Sequence, residues 1–334
     1  LTNIDFEPVE SDNDSINLLN CNIILNRTKV NFYSLQIEGT NSSGDKGILG
    51  GFTYRNKNIF KGSEIFNISV KAGIQAQSIL DDDGNTSLFN TKEFGIEGSL
   101  FFPKFLSPIK FKNFAKEYQP KTTLTTGYNI QSRPIYLRQI TTLAFGYNWM
   151  SNQYEQHIFT PITLSGVKVE PTPSFEEILE QETNQRIKDQ YTNHLIFGLD
   201  YTYIYSNQNV RFLKDFLYFK ANIQSSGNLL SAFNNTGLIK TVDNYHEIFG
   251  IRYAQYVRLA LDFRYFHYTI GESQIATRFM LGAGIPYGNS NDMPFEKSFY
   301  AGGTNGMRGW QFRQLGPGTF SNPDKLNIER IGDL

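Results

Sequence analysis

The sequence predicts an all-β protein, and within that class a transmembrane antiparallel β-barrel. Three observations predict it. Apolar and polar residues alternate in runs longer than soluble strands use. The polar faces of those runs carry Lys, Arg, Asp and Glu at mid-strand, where a small soluble barrel would enclose apolar side chains. Aromatic residues are abundant, with 28 Phe and 19 Tyr, while no stretch approaches the ~20 apolar residues of a membrane helix. The mean hydropathy of −0.38 fits this class, because lipid-facing and lumen-facing residues average to a mildly polar sequence.

Residues 1–30 differ from the rest. Ile4 and Phe6 lead into Pro8, an acidic turn follows at Glu10–Asp14, and a second apolar run covers Ile16–Leu25. The pattern predicts two short strands joined by a polar loop. From Asn31 the long alternation begins. Tyr33, Leu35 and Ile37 alternate with Ser34, Gln36 and Glu38; Ile48, Gly50, Phe52 and Tyr54 follow a turn at Gly39–Gly44. The cleanest run is Ser63–Gln77, with Phe66, Ile68, Val70, Ala72, Ile74 and Ala76 on one face. Equivalent runs surround Phe94–Phe102, Leu143–Trp149, Leu195–Tyr205, Val257–Tyr265 and Ile275–Ile285. They give about eleven strands before residue 289 and about twelve in the chain. By alternation Glu97, Arg258, Asp262, Arg264 and Arg278 face the lumen. Tyr54, Trp149, Tyr205, Tyr265 and Tyr287 sit near strand ends, as interfacial girdles do.

The connections alternate in length. Short ones fall at Asn56–Gly62, Ser151–Gln153, Ser206–Lys214 and Gly271–Ser273, with a longer one at Pro103–Gln119 on the same side. Insertions fall at Ile79–Asn90, Gly166–Thr192, Gly227–Gln255 and after Tyr287. Short turns on one side and long loops on the other are the outer-membrane pattern, and parity puts the last loop outside. The Gly166 insertion holds one helical signal, Ser174 spaced as a capping box with Glu177, then Phe175, Ile178 and Leu179 at helical spacing. It reads as a short helix capping the pore or as a solvated loop helix.

Several chemistries find no support. Lys+Arg of 31 against Asp+Glu of 32 gives a net charge of −1 and no electrostatic case for nucleic acid. The single Cys21 excludes an intrachain disulfide and a cysteine metal cluster. Asp81–Asn85 clusters carboxylates but lacks the later bidentate glutamate of a calcium loop, so it reads as an exposed turn. His157, His194, His246 and His267 show no metal-ligand spacing and read as structural or solvent-facing. No Gly-x-Ser-x-Gly, phosphate-cradling or HExxH unit appears, so neither a cofactor nor an enzyme is predicted, and serine–histidine phospholipase chemistry is unsupported.

The functional signal is Phe299–Phe320, which holds six glycines: Gly302, Gly303, Gly306, Gly309, Gly316 and Gly318. Such a backbone builds a shaped loop. Within it lie Met307-Arg308-Gly309-Trp310 and Gly316-Pro317-Gly318. An enclosed arginine cannot shed its charge, so Arg308 needs a carboxylate or several carbonyls. The order of these units resembles the sixth extracellular loop of the BamA/TamA outer-membrane assembly family. That loop has an aromatic-x-x-Gly-Gly entry, a (Val/Ile)-Arg-Gly-aromatic unit and a Gly-Pro. Met307, Trp310 and Gly306 depart from the usual residues, and the resemblance is nearest to the TamL branch of Bacteroidota.

The resemblance implies a barrel of about sixteen strands in the whole protein. Residues 1–30 would end the last periplasmic POTRA domain, and 31–334 would be the barrel with a signature loop over 289–324. The chain opens on Leu1 without a methionine or signal, which predicts a processed or partial chain. A family member would continue for about four more strands. The implied function is insertion or translocation of client proteins at the outer membrane, without covalent chemistry. Its partners would be outer-membrane lipid, unfolded outer-membrane proteins and periplasmic or lipoprotein subunits. Arg308 would reach into the lumen to an acid. The first strand, with Tyr33, Ser34, Leu35, Gln36, Ile37 and Glu38, would form a lateral seam whose edge templates an incoming strand. Two alternatives share these features: a two-partner-type secretion pore, and a porin or surface-binding barrel.

Overall fold

The computed structural model describes residues 3–9, 18–24, 28–42, 45–76, 90–107, 119–182, 185–209, 214–234, 239–242, 245–269, 273–303, 306–307 and 309–310. The acidic residues of 10–14 and the Asp81–Asn85 turn lie outside them. β1 (Asn3–Val9) and β2 (Leu18–Ile24) pair antiparallel in a sheet of their own. The wall begins with β3 (Asn31–Ser42), β4 (Asp45–Asn56), β5 (Ile65–Ala76), β6 (Thr91–Phe102) and β7 (Lys121–Ser132). It rises through β8 (Tyr136–Asn152), β9 (Glu155–Pro171), β10 (His194–Ser206) and β11 (Phe216–Ser226). Three short strands, β12 (Lys240–Val242), β13 (Tyr245–Ile248) and β14 (Ile251–Tyr253), precede β15 (Tyr256–Tyr268) and β16 (Gln274–Pro286).

Eleven long strands, β3–β11, β15 and β16, form a continuous antiparallel meander. Twelve residues at ~3.3 Å each, tilted by ~45°, cover roughly 28 Å along a membrane normal, which matches a hydrocarbon core. Register decides which face is which. Leu35, Phe52, Val70, Ile96 and Tyr128 lie in one cross-strand row on the outer face. The adjoining row, Ser34, Thr53, Ser69 and Glu97, is polar. Side chains knit the polar face: Thr53 Oγ1 lies 3.2 Å from Ser69 Oγ, Arg55 Nε donates to Asn67 Oδ1 at 2.8 Å, and Asn129 Nδ2 donates to Glu93 Oε1 at 3.0 Å.

One residue looks out of place in a strand interior. Pro161 lies inside β9, where it cannot donate to a ladder. Both neighbours of β9 skip a residue there: Phe145 and Tyr147 face Ile162 and Phe159, while Gly198 and Asp200 face Thr163 and Thr160. The bulge takes Pro161 out of both ladders, so its missing N–H interrupts no paired position.

The insertions differ from the sequence expectation. β8 and β9 extend as a 17-residue pair, so the insertion starts at Thr172 rather than Gly166. Its helix α1 (Pro173–Gln181) has Thr172 as N-cap and Pro173 in its first turn, which places Ser174 inside the helix. The capping box fails because Pro173 presets the helical φ one residue earlier and Thr172 Oγ1 donates to Ile135 O instead. A second helix, α2 (Gln185–Asp189), was not anticipated. The Gly227 insertion is also structured. It opens with one helical turn, α3 (Asn228–Ser231), and β14 then runs parallel to β10 through His194↔Arg252 and Leu195↔Tyr253. That ribbon covers the part of β10 that β11 does not reach. The reversal between β7 and β8 takes only residues 133–135, on the same end as the insertions, so the length asymmetry is not uniform.

The outer face dictates a sharp asymmetry between neighbouring positions. Val70→Lys, on the apolar face, is expected to lower stability in bilayers by ~2–4 kcal/mol, whereas Ser69→Lys changes it by under ~1 kcal/mol. Urea unfolding from lipid vesicles measures both.

Candidate functional site

The site is the polar face of β10, β11, β15 and β16 together with the segment that follows β16. Alternation puts Asp200 and Thr202 on one face of β10, Lys220, Asn222 and Gln224 on β11, and Arg258, Asp262 and Arg264 on β15. Asp200 Oδ1 accepts from Asn222 Nδ2 at 2.9 Å, and Asp200 Oδ2 accepts from Gln224 Nε2. Asn222 Nδ2 also reaches Thr202 Oγ1 at 2.8 Å.

The strongest charge arrangement is built by register. Arg264 and Arg278 stand directly opposite on β15 and β16. Opposed like charges repel. Asp262, two residues before Arg264 and diagonal to Arg278, sits between them. It accepts from Arg264 Nε at 3.0 Å and Nη2 at 2.6 Å, and from Arg278 Nε at 3.1 Å and Nη2 at 2.9 Å. One carboxylate thus holds two guanidinium forks, and Tyr218 lies 4.9 Å under Arg264.

After β16 the chain turns back over this face. Gly282 and Gly284, on the polar side of β16, make room for it. A Cβ at Gly282 would meet the Phe299 ring at 2.4 Å, and one at Gly284 would meet Met293 at 2.9 Å. Asn289 is buried and fills the notch between β13 and β14. Its Oδ1 accepts from His246 N at 2.7 Å, and its Nδ2 donates to His246 O and Tyr253 O, each at 2.8 Å. Met293 packs with Ile196, Ala254 and Tyr256. Arg258 donates from Nε to Lys297 O at 2.8 Å and lies 4.1 Å over the Phe299 ring.

Glu296 makes the segment's charged contact with the wall. Its Oε2 lies 2.9 Å from His194 Nε2, while His194 Nδ1 lies 3.0 Å from Thr192 O. Both ring nitrogens of His194 are thus engaged, one by a carboxylate and one by a backbone carbonyl. Burial alone would push the Glu296 carboxyl up; the hydrogen bond and charge of His194, reinforced by Arg138, outweigh it and hold the group below the usual range. Burial pushes the neighbouring Lys297 ammonium down. Arg138 in turn lies 4.6 Å over Phe295 and donates to Gln190 O at 3.1 Å.

Between this segment and the strands lies a cavity of about 1120 Å³, lined among others by Arg258, Asp262, Arg264, Arg278, Gly302, Gly303 and Met307. Gly302, Gly303 and Gly309 have φ of 94°, 84° and 97°, a left-handed backbone that favours glycine. Gly303 N donates to Trp310 O at 2.9 Å, so the described part of the loop folds on itself, with Met307 and Trp310 about half exposed. Arg308, Gly316, Pro317 and Gly318 lie outside the described residues.

The sequence-selected residues therefore fall in separate places. Arg258, Asp262, Arg264 and Arg278 meet around the cavity. Glu97 lies on β6, across from Ser69 and Gly127, and outside that cluster. Tyr33–Glu38 lie in β3, which pairs with β4 on one side among the described residues. Sequence reasoning missed the His194–Glu296 and Arg138–Phe295 contacts, since 102 and 157 residues separate the partners. It also missed Ser151 Oγ, 2.6 Å from His157 Nε2, with Tyr201 OH 2.8 Å from His157 Nδ1.

The Omp85 superfamily domain matches residues 33–327. The chain belongs to the Omp85 superfamily. Its fold is similar to the crystal structure of BamA from Haemophilus ducreyi lacking POTRA domains 1–3, at 11% identity and a TM-score of 0.56. The likeness covers 95% of this chain and 52% of that one, so this chain spans about half the length of that relative. No curated protein matches it. This Omp85 chain thus shares with BamA the fold of a large antiparallel wall.

Three substitutions test the site. Asp262→Asn leaves Arg264 and Arg278 opposed, and is expected to cost ~1–3 kcal/mol, discounted because both guanidiniums are more than a third exposed. Adding Arg278→Gln should recover part of that loss in urea titrations. Gly282→Val should displace Phe299, and limited proteolysis should then cut within 289–299 while the strands stay protected.

Proposed function

We propose that this chain is the membrane part of an outer-membrane assembly factor that inserts or translocates other proteins. The observation that carries the reading is the return of Asn289–Phe299 onto the polar face of an apolar-sided wall. Superfamily membership and the BamA-like fold support the same reading.

The finer reading follows the TamL branch of Bacteroidota, with residues 1–30 ending a periplasmic POTRA domain and the wall in the outer membrane. Its partners are lipid, unfolded outer-membrane clients and periplasmic or lipoprotein subunits. Work is done without covalent chemistry. β3, whose Tyr33, Leu35 and Ile37 are strongly exposed, supplies the seam. An unpaired edge in hydrocarbon leaves costly peptide groups that an incoming strand satisfies. Arg308 braces the lumen by meeting an acid, and the Asp262 cluster borders the same cavity as its neighbour Met307.

Arg308→Ala in the full-length protein is expected to leave the barrel folded and to impair assembly of other outer-membrane proteins in a depletion–complementation assay. Full complementation with a normally protected loop overturns the brace. Loss of one secreted protein alone on depletion, with all outer-membrane proteins intact, overturns the assembly reading in favour of a secretion pore.

A further inference from the structure

We propose that the start of the β6–β7 connection, Lys104–Leu106, is a lipid-interface clamp folded onto the outside of the wall. The inference rests on the reading of that wall as a membrane barrel. Thr122 lies on the outer face, in the cross-strand row with Phe102 and Tyr147, yet it is 0% exposed. The connection covers it. Thr122 Oγ1 donates to Lys104 O at 2.8 Å and accepts from Leu106 N at 2.8 Å, while Tyr147 OH donates to Leu106 O at 2.8 Å. Three backbone polar groups outside any strand are thus satisfied by side chains of the wall. That is the requirement for irregular backbone in a water-poor layer. A connection in open water has no such need.

The occupant argued for is phospholipid. Phe105 meets Tyr147 and Trp149 edge-on, with centroids 5.4 and 6.0 Å away. The contacts continue from Trp149 to His157 at 5.0 Å, from His157 to Tyr203 at 5.3 Å and from Tyr203 to Phe219 at 6.3 Å. Four strands and the connection therefore share one aromatic band. A protein partner fits a patch, whereas a band running around the wall follows a membrane surface. Its polar atoms, including the Ser151–His157–Tyr201 chain, suit the headgroup level, and exposed Lys104 can reach phosphate.

The test uses single cysteines in a Cys21→Ser background, each labelled with an environment-sensitive fluorophore, in dioleoylphosphatidylcholine vesicles carrying brominated lipid. Leu106→Cys probes the clamp. Leu143→Cys, on the outer face of β8 and six residues from Trp149, probes the wall about 14 Å deeper. Position 106 should be quenched more by shallow than by deep bromines, and position 143 the reverse. Thr122→Val should return position 106 to a water-like spectrum and leave position 143 unchanged. A water-like 106 beside a quenched 143 overturns the clamp alone. Water-like signals at both sites overturn the membrane reading beneath it. Quenching at 106 that survives Thr122→Val overturns the role given to the hydroxyl.

Discussion

A hydrocarbon layer offers no partner to a bare peptide group, and the rest of this structure follows from that. Eleven long strands satisfy one another in sequence order. The lone proline in mid-wall is housed in a bulge. Where β11 stops short beside β10, β14 takes the vacant edge in parallel, and Asn289 closes the remaining notch with a side-chain amide.

The same constraint sets the two faces. Outside, apolar rows need no partners. Inside, each charge must be matched within the protein or by water. Between β15 and β16 the match is economical: two arginines forced opposite by register share Asp262. Along the returning segment, His194 meets Glu296, and Arg258 meets a carbonyl and a ring. These contacts hold Asn289–Phe299 by polar and aromatic anchors as much as by a greasy core, since Met293 makes the chief apolar contact. Such a segment is seated firmly and still lies beside a large cavity lined by charged side chains.

Glycine works at two levels here. Gly302, Gly303 and Gly309 supply backbone turns with positive φ. Gly282 and Gly284 have ordinary strand backbone and act by lacking a side chain. The first kind stands out in a sequence as a cluster. The second is hidden among strand residues until the ring and thioether that occupy the space are known.

The sequence by itself determined the all-β class and the alternating faces of the strands, with Arg258, Asp262, Arg264 and Arg278 on one of them, because a period of two is a local property of the chain. It also marked the glycine-rich loop. It misplaced the start of α1, because Pro173 and a distant carbonyl of Ile135 competed for the cap. Only the tertiary structure decided which charges meet: Glu97 shares their face but stands several strands away from Asp262. Only it paired His194 with Glu296 and folded Lys104–Leu106 back over Thr122. Those contacts join residues through register and loop path, and neither is written in the spacing of nearby residues.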